Sequence, residues 1–459
     1  MKSYAEERYS SPEWIRFLSY AKRVRVIEDQ LPGFHDRSPT QSEIQDVLDR
    51  KPPGSLLPNL HSIEWPSEFH TNIFPLSFFF SPKITTLHCH FDNIDQLMQV
   101  QDNIRHHKPN LQRLLICSAC FAGEIPLLKR LTTSILSLHN LTTLNLGYSE
   151  PYVPHAIPIT RQLLIFIPQL VHLHTFRIAL GADMSKLLKI PSEVFVGFPS
   201  LRDLGISWEN TQLTPMVFNL LDGVISPTLR SVDLSVPASI TPVTMLDLTK
   251  SIAAYSSIRE VSLCWKLLGV QNKRPQWNAA TFLPPLFKLD GLRAISFGFF
   301  VFDWNETLCH DMATSWPRLR QFWVDQVNAG MFVDIKHLVY FAKNCPQLRT
   351  LSVPFKCTYE NGDAIDAVYD GPPREQPLTI HNLGTYSKND LATALYLYTL
   401  FGPFSFFPLP GANSGYLIRN AIQVVMKHRQ EDGRIDKSAL EFEKWEDENE
   451  DEDEDEDED

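Results

Sequence analysis

A six-residue pattern, apolar-x-x-apolar-x-apolar, recurs along the chain. It reads LHSIEW from Leu60, ITTLHC from Ile84, LQRLLI from Leu111, LTTLNL from Leu141, LHTFRI from Leu173 and LRDLGI from Leu201. It continues as LRSVDL from Leu229, IREVSL from Ile258, LRAISF from Leu292, LRQFWV from Leu319 and LRTLSV from Leu348. These eleven copies start 24 to 34 residues apart. Weaker copies flank them, AKRVRV from Ala21 and EQPLTI from Glu375. A period of this length marks a repeat architecture.

The last three pattern positions alternate, which predicts a short strand with two side chains inward and the one between them outward. Roughly twenty residues then return the chain to the next copy, long enough for a helix. Helical periodicity predicts helices over Ile94 to His106, Ile159 to Ile167, Thr244 to Tyr255 and Ile335 to Lys343. Lys108-Pro109-Asn110, Phe198-Pro199-Ser200 and Cys345-Pro346-Gln347 end the returns and turn the chain just before the strand. A single unit cannot bury its apolar face, so the units must stack. The pattern resembles leucine-rich repeats of the longer, roughly 28-residue kind. It lacks the regular Asn after the strand. The expected fold is α/β: a leucine-rich-repeat solenoid of about 11–13 irregular repeats, with a curved parallel sheet on the concave face and helices outside.

The texture of the chain narrows the resemblance. Trp14-Ile15-Arg16-Phe17-Leu18-Ser19-Tyr20-Ala21-Lys22-Arg23-Val24-Arg25-Val26 is similar to the segment where the repeats of fungal, particularly basidiomycete, F-box proteins begin. Leu57–Trp65 and Ser81–Leu87 share that style, and the likeness covers about Trp14 to His428. In that family the repeats read the substrate of a ubiquitin ligase, and the F-box docks on a Skp-type adaptor. An F-box is a helical module of about forty residues that opens on a Leu-Pro pair; here Gln30-Leu31-Pro32-Gly33 leads into a polar segment instead. The ligase role and the adaptor are therefore implied by resemblance alone. Ran-type GTPase-activating proteins also join such repeats to an acidic tail, which gives an alternative. Their post-strand Asn and basic contact residue have no counterpart that can be placed here.

Beyond Glu375 the pattern fades. Ser387 to Phe401 and Tyr416 to Gln430 read as amphipathic helices, with an interrupted stretch, Gly402 to Pro408, that suits neither helix nor strand. The expected division is a cap and weak repeat over 1–59, a solenoid over 60–380, a helical cap over 381–440 and a disordered acidic tail over 441–459. That tail changes the reading of charge. Its 15 acids and one lysine carry −14 of the formal −12, leaving the rest of the chain at +2. The tail reads as a solubilising segment or as a contact for a basic partner. No basic face is visible in the sequence, so no nucleic-acid partner is expected.

Seven scattered cysteines and an acidic N-terminus point to a reducing cytoplasmic or nuclear setting. No apolar run is long enough for a bilayer, so no membrane partner is expected, and the chain should be a monomer. Cys117-Ser118-Ala119-Cys120 has CxxC spacing without a second pair. In His88-Cys89-His90 the register puts Cys89 inward and the histidines outward, facing Arg113, Leu115 and Cys117 of the next repeat. A surface pair outweighs a metal site there. There is no phosphate loop, GxSxG elbow or HExxH. Neither enzyme chemistry, nor a cofactor, nor a metal is expected.

What remains is the outward strand face. The alternation places His88, His90, Asn145, Arg177, Asp233, Trp323 and Asp325 on it, as candidate partner-binding residues among mostly small neighbours. Trp323 is the natural anchor, since tryptophan often dominates interface energy. The expectation is a protein-binding scaffold.

Overall fold

A computed structural model of the chain describes residues 12–27, 55–65, 79–91, 94–107, 110–118, 132–147, 160–181, 195–266, 279–298, 302–325, 332–357, 378–382, 386–387, 390–402, 404–408 and 420–423, with the single positions 42, 49, 300 and 427. The chain divides into two compact units, Met1–Val301 and Phe302–Asp459.

In the first unit the strands are β1 (Val26–Ile27), β2 (Ser62–Trp65), β3 (Thr86–Phe91), β4 (Arg113–Ser118) and β5 (Thr143–Leu146). They continue as β6 (Thr175–Leu180), β7 (Asp203–Trp208), β8 (Ser231–Pro237), β9 (Glu260–Lys266) and β10 (Ala294–Gly298). Each pairs in parallel with the next in chain order, without a crossover. Matching pattern positions face each other, as in Ile178↔Ile206, Ile206↔Leu234, Leu234↔Leu263 and Leu263↔Phe297. All five of these side chains are fully buried. A parallel sheet built from consecutive repeats is the arrangement that the eleven pattern copies demand. The chain is an α/β leucine-rich-repeat solenoid.

The return segments hold helices α1 (Pro12–Ala21), α2 (Ile94–His107), α3 (Arg161–Phe166), α4 (Thr214–Gly223) and α5 (Pro242–Ala253). Their starts are written locally. Thr160 Oγ1 accepts from Leu163 N at 3.2 Å, and Thr241 Oγ1 accepts from Thr244 N at 3.2 Å. Proline follows in the first turn of α4 and α5, where its missing N–H costs nothing. Consecutive helices α4 and α5 pack on each other. Where the returns come close, side chains vanish: a Cβ on Gly223 would stand 2.4 Å from Phe195 O.

The second unit repeats the plan. β11 (Gln321–Asp325), β13 (Thr350–Ser352), β15 (Leu378–Asn382) and β17 (Phe404–Pro408) form a parallel sheet, and β12 (Val333–Asp334), β14 (Phe355–Cys357) and β16 (Tyr386–Ser387) form a small second one. Helices α6 (Glu306–Ser315), α7 (Leu338–Asn344) and α8 (Asp390–Phe401) fill the returns. Asn305 caps α6, its Oδ1 accepting from Leu308 N at 2.9 Å.

Three expectations need correction. Phe404–Pro408 is a strand, because β15 supplies its hydrogen-bond partners and Phe404 and Phe406 are buried. Helix α8 is not amphipathic; Ala394 to Tyr398, Leu400 and Phe401 are all buried, as in a helix enclosed on every side. The weak copies lie out of register. Ile380 rather than Leu378 stands beside Leu351, a two-residue slip that keeps the facing. Ile27 rather than Val24 stands beside Ile63, a three-residue slip that turns Val26 outward, where it is 45% exposed. Apart from Asn420–Gln423 and Lys427, which are helical, the second terminal helix lies outside the described residues, as do Cys120 and the acidic tail.

Replacing Leu234 by Ala should lower stability by about 2–5 kcal/mol, because a buried side chain is lost between two fixed neighbours. Val243→Ala, at a position 69% exposed, should stay within about 0.5 kcal/mol. Urea unfolding of the two variants beside the parent protein checks both.

Candidate functional site

The registers line up the outward side chains of the first unit in one row: Glu64, His88, Leu115, Asn145, Arg177, Gly205, Asp233, Ser262 and Ser296. Neighbours in such a row sit about 4.8 Å apart, close enough to interact directly. His88 Nδ1 lies 2.9 Å from Glu64 Oε1. That contact turns one histidine of the His88-Cys89-His90 triplet to a carboxylate on β2. His90 lies on β3, but its side chain is outside the described residues. Among the described residues no group of three His, Cys, Asp or Glu is arranged to hold a metal.

Asn145 is buried within the row, Asp233 is half-buried and Arg177 is exposed. The stem of Arg177 lies across Gly205, where a Cβ would come within 2.8 Å of its Cγ. Gly205 therefore gives Arg177 a flat seat beside Asp233's strand. One row further along the strands, the small residues expected on an open face are instead closed off. Cys117, Ala179, Ser207, Ser235 and Cys264 are all buried. Close packing accounts for part of this, since a Cβ on Gly298 would stand 2.7 Å from Cys264 Sγ. Among the described residues of these two rows, the middle one holds the side chains that stay exposed or half-buried.

In the second unit the equivalent positions are Trp323, Ser352 and His381. Trp323 and His381 stand two strands apart, yet their rings meet with centroids 5.1 Å apart and planes inclined by 45°. They do so over Ser352, whose short side chain leaves room. Ser352 is completely buried, and its Oγ has no hydrogen-bond partner among the described residues. Trp323 is therefore half-buried rather than free-standing. Burial also lowers the pKa of His381 and favours its neutral form against the indole. Sequence reading missed His381 because the copy at Glu375 was placed two residues early. The Asp325 side chain lies outside the described residues.

The five cysteines whose side chains are described are core groups. Among the described residues Cys89, Cys117, Cys264, Cys309 and Cys345 are buried thiols outside any disulfide. Burial pushes the Cys117 thiol up to about 11, and burial with the nearby Asp334 pushes Cys309 up to about 12. Burial followed by the charge of Asp222 raises Tyr255 to about 12, while its hydroxyl donates to Leu221 O and, at 3.1 Å, to Val224 O. Such groups are structural, since a reactive thiol needs a lowered pKa and access to solvent.

No protein-family model matches this chain, and no curated protein does. Among solved structures it is similar to an internalin (InlF) from Listeria monocytogenes, at 15% identity over 76% of this chain and 81% of the other, with a TM-score of 0.37. The repeat architecture rests on the strand registers rather than on that likeness. Among the described residues no helix is long and apolar enough to cross a membrane.

Two outcomes follow. Ser352→Ala should raise stability by about 1 kcal/mol, since it removes a buried hydroxyl without a partner; thermal unfolding measures it. The raised thiol and phenol pKa values give stability that is complete below the ordinary thiol value near 9. It drains away as pH rises towards 11–12. Urea midpoints should therefore fall steeply above pH 9, and less steeply in a Cys309→Ala variant.

Proposed function

We propose that this chain is a protein-recognition scaffold that holds a partner on the outward strand faces of its units, with His88, Asn145, Arg177 and Asp233 as the contacts of the first unit and Trp323 as that of the second. The middle row carries this reading. Its register fixes an acid–histidine pair, an amide, a guanidinium and a carboxylate at regular steps on a rigid sheet. Rigid placement lets a polar contact discriminate between partners without a large ordering cost. In the second unit Trp323 supplies apolar area, already held by His381, so little side-chain freedom is lost on binding. By strand position His90 belongs to the proposed face of the first unit and Asp325 to that of the second.

The finer reading is a substrate-recognition part of an SCF-type ubiquitin ligase. It is supported by the resemblance of Trp14 to His428 to the repeats of fungal F-box proteins. A regulator of a Ran-type GTPase is the alternative, and only the acidic tail supports it.

Affinity purification from the native cell, using the intact chain and one ending at Leu440, separates these readings. Recovery of a Skp-type adaptor and a cullin is the ligase outcome, and their absence beside another enriched protein removes it. Whatever the partner, Arg177→Glu and Trp323→Ala should each weaken its binding to the purified chain at least tenfold, about 1.4 kcal/mol. Unchanged affinity in both would move the binding site off this face.

A further inference from the structure

Just before each strand, the backbone makes one hydrogen-bonded step per repeat. Arg230 N donates to Arg202 O at 2.7 Å, Arg259 N to Arg230 O at 2.7 Å, and Arg293 N to Arg259 O at 2.6 Å. Earlier rungs of the same ladder carry Arg25, His61, Thr85, Gln112, Thr142 and His174. Positive charge is therefore gathered on the last four rungs of the first unit, over a length of about 14 Å at one strand spacing per rung.

Between the last three of these rungs lies a cleft of about 430 Å³, lined by Arg230, Arg259 and Arg293 together with Thr228, Ser257 and Glu260. Arg259 is held in place. Its guanidinium donates to Ser256 O at 3.1 Å and to Ile258 O at 3.0 Å. It also packs over Gly291, where a Cβ would stand 2.1 Å from one of its nitrogens. Arg230 and Arg293 are exposed, and their guanidinium groups have no partner among the described residues. Thr228 and Ser257 spend their hydroxyls on the backbone, on Leu201 O at 3.3 Å and Leu229 O at 2.7 Å, and so leave the cleft floor fixed. One positioned guanidinium and two unpaired ones thus converge on a cleft whose lining has a single carboxylate.

We propose that this cleft is a second binding site, which takes the carboxylates of an acidic segment of a partner protein. Planar guanidinium groups match carboxylates two bonds at a time, and an extended or helical peptide can present acids at intervals near the rung spacing. A nucleic-acid backbone fits less well. Asp203, Glu260 and Asp290 interrupt the same edge and would repel a continuous line of phosphates, whereas a peptide places neutral residues opposite them. The site lies at the start of the strands and does not depend on the outward row.

The test is fluorescence anisotropy with a labelled peptide of the sequence 441–459, which ends in an alternating Glu/Asp run. Because the chain carries that run itself, the protein is a full-length variant with serine at 446–459. Saturable binding that weakens with added salt is expected, as is a loss of at least tenfold in Arg230→Gln/Arg293→Gln. Both positions are exposed, so that variant should keep its circular dichroism spectrum and melting temperature. Arg177→Glu on the outward row should bind the peptide as the parent does. Equal affinity in the double variant, no saturable binding, or tighter binding of an oligouridine of the same charge would each overturn the proposal.

Discussion

Everything in this protein depends on one constraint: no repeat can satisfy its own strand. Each unit offers a few residues of extended backbone with one apolar face, and both the hydrogen bonds and the burial come from the units on either side. The rungs that join Arg202, Arg230, Arg259 and Arg293 show how tightly this is specified. A single carbonyl accepts from two successive amides of the next repeat, as Arg230 O does from Arg259 N and Glu260 N. Once that step is fixed, the register of the whole strand follows. So does the facing of every side chain on it.

The same constraint builds the surfaces. Rows of outward residues exist only because equal pattern positions meet. The acid–histidine pair of Glu64 and His88, the seat of Arg177 on Gly205, and the ring contact of Trp323 with His381 all join residues distant in sequence. The arginine cleft arises likewise, from residues that occur once per repeat and never adjoin in the chain. In a solenoid a modest local preference, such as Arg after the first apolar position, becomes a continuous feature by stacking. Function can therefore be placed on an edge as readily as on a face.

The interior holds its titratable groups in one state. Thiols at Cys117 and Cys309 and the phenol of Tyr255 are held in their protonated forms by burial, in keeping with packing roles. Ser352 is buried where the rings of Trp323 and His381 meet.

The sequence by itself determined the repeat, the inward set of side chains and the outward parity of the eleven clear copies, because a period-two strand needs only local alternation to declare its faces. It also placed four return helices to within a few residues. It failed where local pattern is ambiguous. Val24, Val26 and Ile27 offer two registers, and so do Leu378 and Ile380; only the hydrogen bonds of β2 and β13 choose between them. Phe404–Pro408 looks like a loop until a neighbouring strand offers partners. Tertiary structure alone decided which outward residues stay reachable, since Cys117, Ser207 and Cys264 share the parity of exposed positions and are nonetheless enclosed. It alone brought His381 to Trp323, and Arg230 to Arg259 and Arg293, because lateral distance between repeats is a property of stacking and is written nowhere in a single copy.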